Sequence, residues 1–362
     1  MGFTRRRLLM GTVGALGAGV LAGCTGDTVG GRGSGSGSPT AQASFFVFGD
    51  LASGVAGDAA DASLLVPIGQ HGHGWEPGPR VREGIENADL FVHGMSGFQP
   101  WVDDIRADLR ADGSDVATVD VSAGLELLEA GGGHDDPRDG DDHDDHGDGH
   151  EDDAGDHDDH DDHSDEQEDD RDDHQHDDDH QHGEGMDPHF WMDPLRVGEA
   201  VGNVRRGLVD VDAEGADAYA DNAESLRGEL EDLHDRIDST VADASKSVIL
   251  VAGHDSFGYL GDRYGVGIEA LTDVSPDDRP TPRDIERAQS VIDAHDLRYV
   301  CADPLESRRA ADQLVAETDA EAVLPLTAMP GLTEAWAEND WGYLEVMENV
   351  NLRTLRRALE AR

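Results

Sequence analysis

The sequence predicts an α/β protein of two lobes, each built on a parallel sheet, joined by a long helix. Two series of short apolar runs alternate with helical patterns, and parallel strands need such helical crossovers. Between the two series, a helical pattern without proline extends from residue 213 to residue 244. The 362 residues are enough for two domains of ordinary size.

The first lobe is predicted from three apolar runs. FFVFGD, Phe45–Asp50, is aromatic and β-branched, so we predict a strand there, followed by a helix. LLVPIG, residues 64–69, predicts the next strand, and residues 79–88 can form a helix. DLFVHG, residues 89–94, predicts a further buried strand. This β-α-β order places ligand-bearing loops at the carboxyl ends of the strands.

The second lobe follows the long helix. One helical face is marked by apolar side chains that recur mainly at steps of three, four and seven, namely Tyr219, Leu226, Leu230, Leu233, Ile237 and Val241. SVILVAG, residues 247–253, opens a second strand series, continued by RYVCADP, residues 298–304, and AEAVLPL, residues 320–326. Cys301 lies inside RYVCADP, so we expect a buried, unreactive thiol.

The amino terminus predicts export. MGFTRRRLLMGTVGALGAGVLAGC places a basic cluster before a Gly/Ala/Leu run that is too short to span a bilayer comfortably. The arginines before Leu8 resemble a twin-arginine signal, and LAGC resembles a lipobox, in which Cys24 would be lipidated. We therefore expect an anchored protein on the outer face of the cytoplasmic membrane. The alternative is an uncleaved amphiphilic leader.

The charge of the chain is strongly negative. Eighty acidic residues stand against 27 basic ones, of which only Lys246 is a lysine, and the formal net charge is −53. This charge argues against nucleic acid and anionic membrane surfaces as electrostatic partners, because both would repel the protein. Acidic residues also predominate outside the histidine-rich part of the chain. We therefore expect a surface adapted to concentrated salt and a halophilic archaeal source.

Three histidines lie where predicted strands give way to loops: His73 in GQHGHGWEPGP, His189 in MDPHFWMDP and His254 in VAGHDSFGYL. Ligands bind at such positions in α/β folds. Three imidazoles together suit Zn²⁺ better than Mn²⁺ or Mg²⁺, which prefer oxygen ligands. Asp187 and Asp255 could orient the rings as hydrogen-bond acceptors. Taken alone, each histidine is more often a loop residue than a ligand, because spacing does not establish convergence.

The other histidines outside the acidic insert are weaker candidates. His234 and His295 fall within predicted helices, where we expect solvated or structural roles. His93 ends a predicted strand and stays a minor candidate for the site.

Five stretches resemble the solute-binding proteins of zinc and manganese ABC importers. They are LVPIGQHGHGWEPGP, ADLFVHGMSGFQPWV, MDPHFWMDP, GHDSFGYLGDRYGVGIEAL and YLEVMENVNLRTLRRAL. The resemblance implies two α/β lobes joined by one rigid helix, with the metal in the cleft between them. By motif, it implies direct ligands at His73 in H-x-x-E-P, His189 in D-P-H and His254 in H-D-x-F. Histidine rather than glutamate at position 254 favours zinc over manganese.

The chain departs from this family at one point. Many members supply a fourth, carboxylate ligand from a strand end of the second lobe, but the corresponding VLPLTAMPG, residues 323–331, contains no carboxylate. The fourth position is left open between water, Glu76, His71 and a residue of the histidine-rich insert.

The histidine- and aspartate-rich insert, residues 134–185, interrupts the first lobe, at the place where related proteins carry a similar loop. Eleven histidines alternate with carboxylates, and large apolar side chains are lacking, so the segment cannot form a core. We expect it to capture metal weakly at several sites and to raise the local metal concentration. The histidines concerned include His143, His146, His150, His157, His160, His163, His174, His176, His180 and His182. The alternative is an acidic, solvated loop.

Together these features predict a lipid-anchored, extracytoplasmic receptor that delivers Zn²⁺ to a membrane ABC permease and catalyses nothing. Two alternatives stay open: a zinc hydrolase, since three histidines and a water also describe a catalytic site, and a surface metal buffer without a permease. The predicted organisation is a signal peptide at 1–24, a flexible tether at 25–43, an N-terminal lobe at 44–195, a helical link at 196–246 and a C-terminal lobe at 247–362.

Overall fold

The computed structural model describes residues 38–130, 185–275 and 278–362. The predicted signal peptide, most of the predicted tether and nearly all of the histidine-rich insert lie outside these described residues. Within them, every helix is too short or too polar to cross a membrane.

The first sheet has four parallel strands. They are β1, Thr40–Ala43, β2, Asp61–Leu64, β3, Leu90–His93, and β4, Ala117–Asp120, in the spatial order β2-β1-β3-β4. The connecting helices are α1, Phe46–Ala56, α2, Pro79–Glu86, and α3, Pro100–Ala111. Because all four strands are parallel, the loops that follow them open at one edge of the sheet.

Two predictions for the start of this sheet are wrong. The apolar run at residues 45–50 begins helix α1 rather than forming a strand, and the first strand is β1, inside the segment predicted as tether. Eight of the eleven residues of α1 are buried, so the helix lacks the alternation of apolar and polar faces from which an amphipathic helix is predicted. Strand β1 reads TAQA, whose small residues carry a weak strand signal. Strand β2 also lies earlier than the predicted run at 64–69.

The long helix predicted between the lobes is confirmed. After α4, Pro194–Val211, the 27-residue helix α5 extends over Ala216–Ala242. Its buried face contains Tyr219, Ala223, Leu226, Leu230, Leu233, Ile237 and Thr240. Helix α5 packs on α1 and α4 at one side and contacts helices of the second lobe at the other. One continuous helix therefore spans both halves of the molecule.

The second sheet is also parallel and four-stranded. Its strands are β5, Val248–His254, β6, Gly267–Thr272, β7, Tyr299–Ala302, and β8, Ala322–Pro325, in the order β6-β5-β7-β8. The helices of this part are α6, Gly258–Tyr264, α7, Pro282–His295, α8, Arg309–Glu317, and α9, Glu334–Glu338. The three predicted strand runs all fall on strands of this sheet, and the two-lobed α/β fold with parallel sheets is confirmed.

The chain ends with α10, Tyr343–Val346, a π-helical turn, Met347–Asn351, and α11, Leu352–Ala358. The Tyr343 hydroxyl donates to the carbonyl of Trp191 at 2.7 Å, and the Tyr343 backbone N–H donates to Asp50 at 2.8 Å. Helix α10 therefore contacts the first lobe, whereas α11 packs on β7 and β8 of the second. One apolar core continues through both lobes. Cys301 is fully buried, and burial raises the pKa of its thiol to about 12, which makes it unreactive.

Candidate metal centre

His73 lies in the loop that follows β2 and is held there by the second lobe. The N–H of Gly72 donates to the carbonyl of Pro330 at 2.6 Å. A Cβ at Gly72 would lie 2.8 Å from both that carbonyl and the ring of Phe45, so only glycine fits this close approach. The His73 ring is packed edge-on against Phe45 and Phe98, with centroid distances of 5.4 and 5.0 Å.

His189 lies in the turn before α4 and is completely buried. One carboxylate oxygen of Asp187 accepts from the backbone N–H of His189 at 2.9 Å and from its Nδ1 at 2.7 Å. Asp187 is itself tied to the second lobe, since its carbonyl accepts from the hydroxyl of Tyr259 at 2.7 Å. Asp187 therefore fixes this ring as an orienting carboxylate would.

His254 is the last residue of β5, at the carboxyl end of the second sheet. Its Nδ1 lies 3.1 Å from Oε1 of Glu306. Glu306 therefore contacts this ring nitrogen. Asp255 uses its backbone N–H to donate to the carbonyls of Thr272 and Asp273, both at 3.1 Å.

The structure brings His73, His189 and His254 together. One ligand atom of each side chain lies within 4.8 Å of the ligand atoms of the other two. The Nε2 atoms of all three are buried and have no hydrogen-bond partner among the described residues. Buried polar atoms are normally satisfied, so three unsatisfied nitrogens at one place indicate a site for a bound cation.

The protonation states at the site suit a cation. Burial lowers the pKa of His73 well below 6.5, and the nearby His189, His71 and His254 lower it further. Burial opposes the ionisation of Glu306, but contacts with His254 and His71 outweigh it and lower its pKa to about 2. At neutral pH the site therefore presents a neutral His73 imidazole and an ionised Glu306 carboxylate.

The other candidates stay outside the converging set. The His71 ring lies 5.1 Å from that of His73, but its Nε2 is directed to Glu306 at 3.6 Å. Glu76 is exposed. The insert histidines up to His182 and the lipidation candidate Cys24 lie outside the described residues. Sequence reasoning missed Glu306, although a carboxylate four residues after a buried strand run was a usable signal.

The remaining histidines of the described chain have other partners or face solvent. His93 is buried and donates from Nδ1 to the carbonyl of Gly94 at 2.6 Å. His234 contacts the hydroxyl of Tyr264 at 3.1 Å, and His295 is exposed. The loop at residues 323–331 has no carboxylate, and Asn351 binds the backbone N–H and carbonyl of its Thr327.

The sequence of this chain is similar to those of known zinc-binding proteins. The chain is 27% identical over 302 residues to the high-affinity zinc uptake system protein ZnuA of Bacillus subtilis, covering 83% of this chain and 82% of that protein. It is 28% identical over 316 residues to the zinc-binding protein AdcA of Streptococcus pyogenes, covering 86% of this chain but only 54% of AdcA. Both organisms are bacteria, so these relatives do not support the expected archaeal source.

The fold also matches solved structures. The Zn(II)-bound ZnuA-like domain of Streptococcus pneumoniae AdcA superimposes with a TM-score of 0.66 at 22% identity, over 90% of this chain and all of that domain. At this identity the match concerns the fold. The family assignment comes from the sequence itself: residues 42–358 match the family described as zinc-uptake complex component A, periplasmic, and the chain belongs to that family.

Proposed function

We propose that this protein is an extracytoplasmic receptor that binds Zn²⁺ and delivers it to an ABC permease. The observation that supports this best is the convergence of His73, His189 and His254, whose buried Nε2 atoms lack protein partners among the described residues. Membership of the zinc-uptake family supplies the transport context. The relatives named for zinc uptake and zinc binding agree with this role.

Zinc is the proposed ion because the three converging side chains are all imidazoles. Nitrogen ligands favour Zn²⁺ over Mn²⁺ in the Irving–Williams order, whereas manganese prefers carboxylates and water. The two carboxylates at the site, Asp187 and Glu306, contact Nδ1 atoms. They are engaged in orienting rings rather than in accepting a proton from a metal-bound water, which favours carriage of the ion over hydrolysis.

We also propose that Cys24 anchors the protein to the outer face of the membrane through a lipid. The support is the lipobox-like LAGC after a twin-arginine-like leader. Cys24→Ser should release the protein from the membrane fraction and leave zinc binding unchanged. In a separate variant, replacement of Arg5 and Arg6 by lysine should block export. Persistence of the serine variant in washed membranes would contradict the anchor.

The insert, residues 134–185, is proposed to collect metal weakly, because its histidines alternate with carboxylates in a segment that lacks large apolar side chains. The acidic surface is proposed to keep the protein hydrated in concentrated salt. Assays of this protein therefore belong in concentrated salt, where repulsion among its charges is screened.

Competition titration with a zinc chelator tests the proposed function. We expect one tight zinc equivalent, much weaker manganese binding, and a loss of more than about 100-fold in zinc affinity for each of His73→Ala, His189→Ala and His254→Ala, since each removes a ligand rather than a support. His295→Ala, at an exposed histidine outside the site, is the matched control. Equal affinities for zinc and manganese, or normal zinc affinity in all three variants, would contradict the proposal.

A further inference from the structure

Glu306 contacts two imidazoles with one oxygen. Its Oε1 lies 3.1 Å from Nδ1 of His254, which is a hydrogen-bond distance, and 3.6 Å from Nε2 of His71, which is an ion-pair distance. Only His254 belongs to the converging set. The stronger contact of this carboxylate is therefore made to a ring whose other nitrogen is buried without a protein partner.

We propose that Glu306 is a positioning residue of the zinc site, which holds the proton of His254 on Nδ1 and so commits its Nε2 lone pair to the metal. A neutral imidazole has one N–H and one lone pair, and an ionised carboxylate can only accept. A hydrogen bond from Nδ1 to Glu306 therefore fixes both the tautomer and the ring orientation. This inference rests on the proposed zinc-binding function.

A second ring of the site also has a carboxylate at its Nδ1. Asp187 accepts from Nδ1 of His189 at 2.7 Å, so two of the three rings are each bound by one carboxylate. His73 is instead held by the edges of Phe45 and Phe98. The Glu306 carboxylate also places negative charge beside the rings that would hold a divalent cation. Glu306 therefore also offsets part of the cost of burying the ion.

The fold presents Glu306 through a turn that is organised by the buried side chain of Asp303. Asp303, which follows β7, accepts from the backbone N–H of Leu305 at 2.8 Å and from that of Ala328 at 3.1 Å. The N–H of Glu306 donates to the carbonyl of Asp303 at 3.1 Å and closes the turn. The carboxylate then lies directly over Gly253, where an added Cβ would come within 2.9 Å of its Oε2. Glycine at this position leaves the space that the carboxylate occupies.

Zinc affinity of the full chain tests the proposal with two variants. Glu306→Ala removes the acceptor and should weaken zinc binding by about 10–100-fold, the usual effect of losing a partner of a ligating histidine. Gly253→Ala keeps the charge but displaces the carboxylate, and should weaken binding in the same direction. Glu321→Ala is the control, because this exposed carboxylate pairs with Arg298. Wild-type affinity in both Glu306→Ala and Gly253→Ala would overturn the proposal.

Histidine NMR on the metal-free protein gives a readout that does not depend on zinc. The His254 proton should reside on Nδ1 in the wild type and move predominantly to Nε2 in Glu306→Ala. A wild-type His254 protonated on Nε2 would overturn the positioning role. Failure of the wild type to bind zinc would instead contradict the proposed function, while the tautomer would still report on Glu306. Equally tight zinc binding by the wild type and by Glu306→Ala would agree with the receptor function but contradict the positioning role of Glu306.

Discussion

The buried carboxylate of Asp193 links the two lobes through Arg263. Its Oδ2 accepts from Nε and Nη2 of Arg263 at 2.8 and 2.6 Å, and from Nη1 of Arg196 at 3.0 Å. Its Oδ1 accepts from the backbone N–H of Leu195 and caps α4. Since Arg263 belongs to α6 of the second lobe, one carboxylate four residues after His189 ties the start of α4 to the opposite half of the molecule.

Asp193→Ala should lower the free energy of unfolding by about 3–5 kcal/mol, because it leaves two arginines without their buried partner. Glu321→Ala, which removes the partner of the exposed Arg298, should cost much less, because an exposed ion pair is screened by solvent and salt. Denaturant titration of the metal-free proteins at one salt concentration provides the comparison. A loss at Asp193 no larger than that at Glu321 would show that the buried pair adds no net stability.

His93 should make stability depend on pH. Burial, with a smaller contribution from the charge of Arg106, lowers its pKa from 6.5 to about 4, against the opposing effects of the Gly94 carbonyl, Asp120 and Asp103. The unfolded chain binds the proton first as the pH falls. Stability from the neutral ring is therefore complete above pH 6.5 and is lost progressively towards pH 4, by roughly 3 kcal/mol in all.

Unfolding free energies measured across this pH range test the role of His93. His93→Asn, which can still donate to the Gly94 carbonyl, should show a smaller loss of stability on acidification than the wild type. The exposed His295→Asn should follow the wild-type curve. Parallel curves for His93→Asn and the wild type would contradict the prediction.

Zinc affinity should respond to acid in a way that reflects the burial of His73. A ligating imidazole must be neutral, and the pKa of His73 lies well below 6.5, so protons compete at this ligand only at lower pH. Just below pH 6.5, fewer than three protons should therefore be released from the three histidines when zinc binds, because His73 is already neutral and releases none. The slope of log affinity against pH measures this number. A slope of three in that range would show that His73 titrates like an exposed histidine.

Deletion of residues 135–181 should remove several weak zinc equivalents and preserve one tight equivalent. The three converging histidines all lie outside the deleted segment, in the described part of the chain. Calorimetric titration of the full chain and the deletion variant gives the number and affinity of both classes. Loss of the tight equivalent would mean that the insert contributes a ligand, and the proposed division between capture and tight binding would be wrong.

The sequence was sufficient to predict a helix or strand where its residue pattern is compatible with only one type of secondary structure. The long amphipathic helix α5 and the strands at β3, β5, β7 and β8 follow from periodicity and apolar runs. Prediction failed at Phe45–Asp50, because a buried helix and a buried strand are both apolar on every side and periodicity cannot separate them. In the folded chain this segment belongs to helix α1, which packs between β2 and α5.

By itself, the sequence determined the two-lobed α/β fold and the choice of His73, His189 and His254 as candidates, because ligands in such folds lie at strand ends and the motifs surround them. Only the tertiary structure decided that their ligand atoms lie within 4.8 Å of one another. It also decided that Glu306, which lies far from His254 in the sequence, contacts the His254 ring. Sequence patterns carry only local information, whereas a turn that follows another strand of the same sheet can place a carboxylate directly against the ring.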